Sequence, residues 1–384
     1  RLELPHVLSA ISKLEKRILE HNQYEGIETQ EELDELREND RNNTDVLAAT
    51  NELWAIKSRL FRVLYRQGKV RSEEELAHFR TLINSQLEQF ALAHPESTEV
   101  NYLVYHIRSA YAFGTGDYVS CFEHLKDNLK LIRNRPDYFR QDPAIVLAVL
   151  TNAIYVGMRL REWKESFRLM DDLRALRDSA DEIRSEDYRM RLFAAATGTE
   201  LALYAQSGEF DQGIELADEV KLGLQRYGDA LSSIRQAHLK FNLAVCFTGT
   251  GRFQEAQRWL HSLLNETPID HTRDLHCMAQ LLSLIVQLEL GETRLLPYSL
   301  RSARRFLSTR RKTYRTEEIV LEFIGDSLRK RQSDASEERL SRFCVALEEL
   351  RNDPFERNAF EFFDFYAWAL GKATGKPFKD MIAA

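Results

Sequence analysis

Apolar positions along this chain recur at the spacing of a helix rather than of a strand. Leu239, Leu243, Cys246 and Phe247 fall at i, i+4, i+7 and i+8, and Phe253, Ala256, Leu260, Leu263 and Leu264 repeat the pattern with slightly different offsets. At 3.6 residues per turn each set forms one apolar face. Strand signals are almost absent: there is no sustained alternation of period two and no Asn-Gly or Asp-Gly hairpin turn. Capping boxes mark helix starts at Thr29 with Glu32, Ser72 with Glu75 and Ser179 with Glu182. All eight prolines fit loops or first helical turns, where a missing N–H costs least. The pattern predicts an all-α protein of roughly 16–18 antiparallel helices and no sheet.

The helices are punctuated at a regular period. Gly68, Gly116, Gly208, Gly251 and Gly291 each close one helical stretch and open the way to another. Arg161, in "LREW", takes the equivalent place between Gly116 and Gly208, and the intervals run from 40 to 48 residues. A turn around "QSDAS" and then Gly375 in "TGKPF" carry the spacing to the C-terminus. Each period reads as a helix–turn–helix unit. A glycine in the left-handed conformation ends the first helix, and the aromatic after it plugs the corner. A small residue three positions beyond that aromatic (Cys121, Ser166, Gly213, Ala256) lets the second helix approach the first closely.

Within one unit the residues resemble a known family. Leu243, Ala244, Phe247, Gly251, Phe253, Ala256, Leu260 and Pro268 are similar to the tetratricopeptide pattern of small residue, turn glycine, aromatic, alanine and closing proline. Elsewhere the match is thinner: Tyr204, Gly208 and Phe210 around one turn, and mainly "GDY" around Gly116. The period departs from the family's ~34 residues, and the extra ~11 would add about one and a half turns to each helix. The chain thus resembles divergent, long-helix tetratricopeptide-like bacterial proteins over residues 46–384. The resemblance implies a right-handed α-solenoid that binds an extended peptide on its concave face, lined by the first helix of each pair. On that alignment Asn152 and Asn242 match the asparagine with which such proteins bond a ligand backbone or carboxylate. Tyr155, Arg159 and His238 take neighbouring concave positions, and Arg59, Arg62 and Arg66 line the corresponding helix of the first unit. A competing reading has each asparagine capping or bonding its own neighbours, and the equivalents Thr199 and Ile107 break the pattern.

Residues 1–45 lie outside the period. "LPHVLSAISKLEKRILEHN" reads as an amphipathic helix, "TQEELDELREND" as an acidic capped helix, and "RNNTD" as a polar connector. The segment is expected to cap the first repeat, as solenoids require; a dimerising or partner-docking segment is the alternative.

Composition and charge narrow the function. The 384 residues are 43% hydrophobic and 29% charged, enough for a packed core with a solvated exterior. The net charge of −7 argues against a general nucleic-acid binder. The longest apolar runs, such as "AIVLAVL", are too short to span a membrane. Four widely spaced cysteines without a CxxC pair read as core residues in a reducing, cytoplasmic compartment. The chain opens on an arginine, which leaves a preceding segment, a signal peptide included, open.

Catalytic motifs are missing: there is no HExxH, GxSxG, P-loop or GxGxxG. His261, His271, His276 and Cys277 cluster in sequence, but the five-residue step from His271 to His276 turns them off a shared helical face. Asp171 and Asp172 read as a solvated helix face. No metal, no cofactor and no enzymatic activity are therefore expected. The expected function is a noncatalytic scaffold for a peptide or protein partner; the alternative is a peptide-gated regulator whose superhelix changes shape on binding. One charged feature stands apart. Between Ser299 and Arg331 ten Lys/Arg face four acids, and Arg301, Arg304, Arg305 and Arg311 recur at helical spacing as a candidate anion site. The bland reading is a solvated face or a partner for acidic neighbours such as Glu317 and Glu318.

Overall fold

A computed structural model describes residues 5–27, 29–67, 70, 73–83, 87–178, 186–266, 273–308, 314–329, 334–353 and 356–382. Every regular element in them is a helix, and no strand occurs among the described residues. None of these helices is long and apolar enough to cross a membrane. The chain divides into two compact units, 1–156 and 157–384.

The first unit runs α1 (Pro5–His21), α2 (Gln30–Gln67), α3 (Glu73–Leu82), α4 (Leu87–Ala93), α5 (Thr98–Thr115), α6 (Tyr118–Asn134), α7 (Pro136–Phe139) and α8 (Pro143–Arg159), the last three residues of α8 belonging to the second unit. Its core joins Leu53, Ile56 and Leu60 of α2 to Val100, Val104 and Ile107 of α5, closed at one end by Phe79 of α3. The "RNNTD" stretch expected as a connector is helical. It contains no proline or glycine, Thr44 donates to the Asp40 carbonyl at 2.9 Å, and α2 continues unbroken from Gln30 past residue 45. Thr29 does cap that helix, accepting from the Glu32 amide at 3.4 Å. The boxes at Ser72 and at Ser179 with Glu182 lie outside the described residues.

The second unit continues with α9 (Trp163–Asp178), α10 (Glu186–Ser207), α11 (Phe210–Glu215), α12 (Ala217–Tyr227), α13 (Ser233–Gly249), α14 (Phe253–Glu266) and α15 (Arg273–Glu289). It ends with α16 (Leu296–Leu307), α17 (Arg315–Arg329), α18 (Asp334–Arg351), α19 (Arg357–Phe360), α20 (Phe365–Thr374) and α21 (Phe378–Ile382). Among the described residues the helices outnumber the expected 16–18 because short pieces such as α7, α19 and α21 stand as separate helices. Neighbours in sequence pack together, α13 on α14 and α14 on α15, while α10, α13, α15 and α17 also touch in succession.

The described glycine corners carry the left-handed conformation that their sequence predicts, and Arg161 shares it. Gly116, Gly208, Gly251, Gly291 and Gly375 have φ of +79°, +84°, +74°, +68° and +67°, and Arg161, the one non-glycine in the series, has +57°. At five of these corners the next amide bonds a carbonyl five residues back: Asp117 to Ala112 at 2.9 Å, Glu162 to Gly157 at 2.9 Å, Arg252 to Phe247 at 2.8 Å, Glu292 to Gln287 at 3.0 Å and Lys376 to Gly371 at 3.0 Å. This bond satisfies a carbonyl that the helix end would leave without a partner. Gly68 lies outside the described residues. The small residues Cys121, Ser166, Gly213 and Ala256 are all buried. At Gly213 a Cβ would sit 2.4 Å from Cys246 Sγ, so only glycine admits the contact between α11 and α13. The corner aromatics differ among themselves: Phe210 is fully buried, whereas Tyr118, Trp163 and Phe253 are half-buried.

The C-terminal segment departs from a stack in which each repeat touches only its neighbours. Phe378 stacks on Phe210 at 5.2 Å, Phe362 meets Phe241 edge-on at 6.3 Å, and Trp368 Nε1 donates to Glu289 at 2.9 Å. Residues 361–378 therefore touch α10, α11, α13 and α15 from more than 70 residues away in sequence. Phe363, Phe365, Ala367 and Ala369 are buried there and belong to the core.

Candidate functional site

Aromatic side chains at helical spacing build a concavity in the first unit. On α2 these are Phe61 and Tyr65; on α5, Tyr102, His106 and Phe113; on α8, Tyr155. A four- or seven-residue step returns to the same helical face, so each helix presents its rings toward one place. His106 stacks on Phe61 at 5.2 Å and on Tyr102 at 5.5 Å, Tyr102 meets Phe139 edge-on at 6.0 Å, and Tyr155 lies 6.0 Å from Phe113. Together these elements enclose a cavity of about 490 Å³, walled by Phe61, Tyr65, His106, Phe113 and Tyr155, with Asn152 at its edge.

The electrostatics keep this surface uncharged. Burial, with Lys57 nearby, pushes the His106 pKa down to about 4, so its ring is neutral and stacks as an aromatic at pH 7. Burial also raises Tyr102 to about 12, with a contribution from Asp142. Asn152 is exposed, and its amide makes no side-chain hydrogen bond among the described residues. The result is an apolar, aromatic-walled recess with one amide free to bond a ligand. Its volume lies within the ~300–1,000 Å³ of small-ligand and side-chain pockets.

The residues singled out from sequence distribute unevenly. Asn152 and Tyr155 line this cavity; Arg159, His238 and Asn242 belong to the second unit, so the five form no single site within either one. Arg159 is largely buried and its guanidinium pairs with Glu361 at 2.8 Å, so the carboxylate it holds comes from the chain's own C-terminal segment. His238 is open to solvent, although the surrounding protein lowers its pKa by desolvation. Asn242 is half-buried and, like Asn152, makes no side-chain hydrogen bond among the described residues. Beside it, Phe241 packs on Phe362. Arg59, Arg62 and Arg66 are exposed on α2 and are not walls of the cavity.

The basic stretch is only partly described. Arg301, Arg304 and Arg305 are exposed on α16, whereas Arg311 lies outside the described residues. Arg304 donates to the Leu321 carbonyl of α17 at 3.3 Å, and the Arg301 guanidinium lies over the Tyr298 ring at 5.6 Å. Of the acidic neighbours, Glu317 is buried and accepts from the Tyr314 amide at 3.3 Å, and Glu318 is exposed.

Among the described residues no cluster of His, Cys, Asp or Glu is arranged to hold a metal ion. His271 is outside them, while His276 and Cys277 are core residues of α15. Asp171 and Asp172 are exposed, Asp171 pairing with Arg174 at 2.7 Å and Asp172 with Arg168 at 3.6 Å. Sequence reasoning missed Phe61, His106 and Phe113. Their signal was the four- and seven-residue spacing of rings along α2 and α5, which reads equally well as core. Comparison with known protein families finds no match, and comparison with curated proteins finds none either.

Proposed function

We propose that this protein is a noncatalytic scaffold of tetratricopeptide-like helical hairpins, cytoplasmic, that holds a peptide segment of a partner protein in the aromatic recess of its first unit. The observation that carries the reading is the 490 Å³ cavity with aromatic walls and the unpaired Asn152 amide at its edge. Aromatic walls supply large contact area at small entropic cost, and a lone amide fixes the direction of an extended backbone. Left-handed corners spaced 40–47 residues apart from Gly116 to Gly291 support the repeat reading. A right-handed solenoid over residues 46–384 is part of the same proposal, with the C-terminal segment as its departure from a simple array.

An array of ~10-residue peptides carrying Phe, Leu, Tyr or Trp at varied positions tests it, the full chain being the probe. Apolar-anchored peptides should bind, and Asn152→Ala or Ala110→Trp should each weaken them about tenfold or more, since one lost polar contact is worth ~1.4 kcal/mol. Binding that survives Ala110→Trp, whose side chain fills the recess, would place the site elsewhere. An array without binders would remove the reading.

A further inference from the structure

The first unit holds a second cavity, of about 520 Å³, which shares no wall residue with the aromatic recess. α4 supplies Leu87 and Glu88 to its lining, α5 supplies Arg108 and Tyr111, and α6 supplies Asp117 and His124. Its charges fall at different depths. α5 and α6 run antiparallel from the corner at Gly116, so residues equally far from that glycine lie side by side. Arg108 and His124 are each eight residues from it, Asp117 is one, and Tyr111 stands between them at five. At 1.5 Å per residue the two charged ends are about 10 Å apart along the helices.

Both ends keep bonding capacity. The Arg108 side chain, 26% exposed, meets Glu88 through Nη2 at 3.2 Å, and that Glu88 side chain is 77% exposed. Arg108 makes no other side-chain ion pair or hydrogen bond among the described residues, which leaves most of its guanidinium N–H groups without a protein partner. Burial, and then the charge of Arg108, lowers the His124 pKa, so His124 is neutral at pH 7 and adds no second cation. At the other end Asp117 accepts from the Ser120 amide at 3.0 Å and from the Ser120 hydroxyl at 2.7 Å. Those bonds hold its carboxyl below the usual carboxylate range, and no cation pairs with it among the described residues.

A guanidinium and a carboxylate at opposite ends of one cavity match a ligand that carries the reverse charges at its own two ends. A plain anion would lie against Glu88 and Asp117, and a plain cation against Arg108. A single amino acid is too short, because its ammonium and carboxylate share one carbon. Each further residue lengthens a chain by about 3.3–3.6 Å, so two or three residues reach between the ends. We propose that this cavity binds a free peptide of that length, its carboxylate on Arg108, its ammonium on Asp117 and an apolar side chain against Leu87 and Tyr111. The site is separate from the aromatic recess, and each stands without the other.

Isothermal titration of the full chain with leucine, Leu-Ala, Leu-Ala-Ala and leucine followed by five alanines tests the length. The dipeptide or the tripeptide should bind about tenfold or more tighter than either leucine or the longest chain, and amidating or acetylating it should weaken it by a similar factor. Arg108→Gln should weaken the free peptide and make amidation immaterial. Asp117→Asn, which keeps a side chain able to cap α6, should do the same for acetylation. The blocked peptides need no variant, so they test the charge pairing even if a substitution unfolds the chain. Asn152→Ala, in the wall of the recess, should leave all these affinities unchanged. A wild type that binds none of the four overturns the proposal, as does binding indifferent to length or to blocked ends. Inorganic phosphate that binds more tightly than the peptides would make this an anion site instead, and loss of binding in Asn152→Ala would move the peptide to the recess; either result overturns it.

Discussion

A single dihedral angle separates Gly251 from the residues around it. At φ +74° it stands in the left-handed region, and a Cβ there would meet nothing within 4 Å. Gly251→Val should therefore lower stability by roughly 1–2 kcal/mol through backbone strain alone, with no clash to relieve. Arg161 offers the converse experiment. It holds φ +57° at an equivalent corner with an exposed side chain, so Arg161→Gly should raise stability by up to ~1 kcal/mol, reduced by the greater freedom glycine has when unfolded. Urea unfolding of the two variants checks the pair, and a Gly251→Val protein as stable as wild type would contradict the strain. These corners were legible because one residue and its two neighbours suffice to define them. The aromatic recess was not, since a ring at helical spacing belongs to a core or to a groove according to what lies opposite.

Helix ends show where local sequence runs out. Thr29, Ser97, Asp117 and Asp364 cap the helices that follow them immediately, accepting from amides three residues on. α17 is capped from 40 residues away: Glu356 accepts from the Arg315 amide at 2.9 Å, the Thr316 amide at 3.0 Å and the Thr316 hydroxyl at 2.9 Å. A carboxylate at a helix N-terminus satisfies free amides and complements the helix dipole. Glu356→Ala should cost about 1–2 kcal/mol and speed hydrogen exchange in the first turn of α17. An unchanged melting midpoint together with unchanged exchange would show that the cap adds nothing. The "RNNTD" connector illustrates the opposite limit: low helix propensity over five residues yields to the two packed halves of α2 on either side.

Across the molecule each unit has its own buried core, and the four cysteines report on both. Cys121 lies in the first unit, Cys246, Cys277 and Cys344 in the second, and all are buried and outside any disulfide. Burial pushes the Cys246 and Cys344 thiols up, which removes the thiolate that reacts. A chromogenic disulfide reagent should accordingly label all four many times more slowly in native buffer than in denaturant, each rate following the opening of the unit that holds it. Fast native labelling at any one position would contradict its burial. The arginines of α16 carry a whole-molecule lesson as well. Their charge was visible in composition, but Arg304 bonds the Leu321 carbonyl and Arg301 covers Tyr298, contacts that composition does not contain.

The sequence by itself determined the all-helical class, the corners at Gly116, Arg161, Gly208, Gly251, Gly291 and Gly375, and the buried small residues beyond four of them. Those features depend on backbone conformation and periodicity within a few residues. Tertiary structure alone decided which apolar faces became core, because the 3.6-residue pattern says that a face is apolar and nothing about what covers it. It set Phe61, His106 and Phe113 around a recess and left the apolar side chains Val7, Ile11, Leu14 and Ile18 of α1 in solvent. It also laid Phe362 and Phe378 against α13 and α11. Each of these outcomes joins residues far apart in sequence, and only packing brings such residues together.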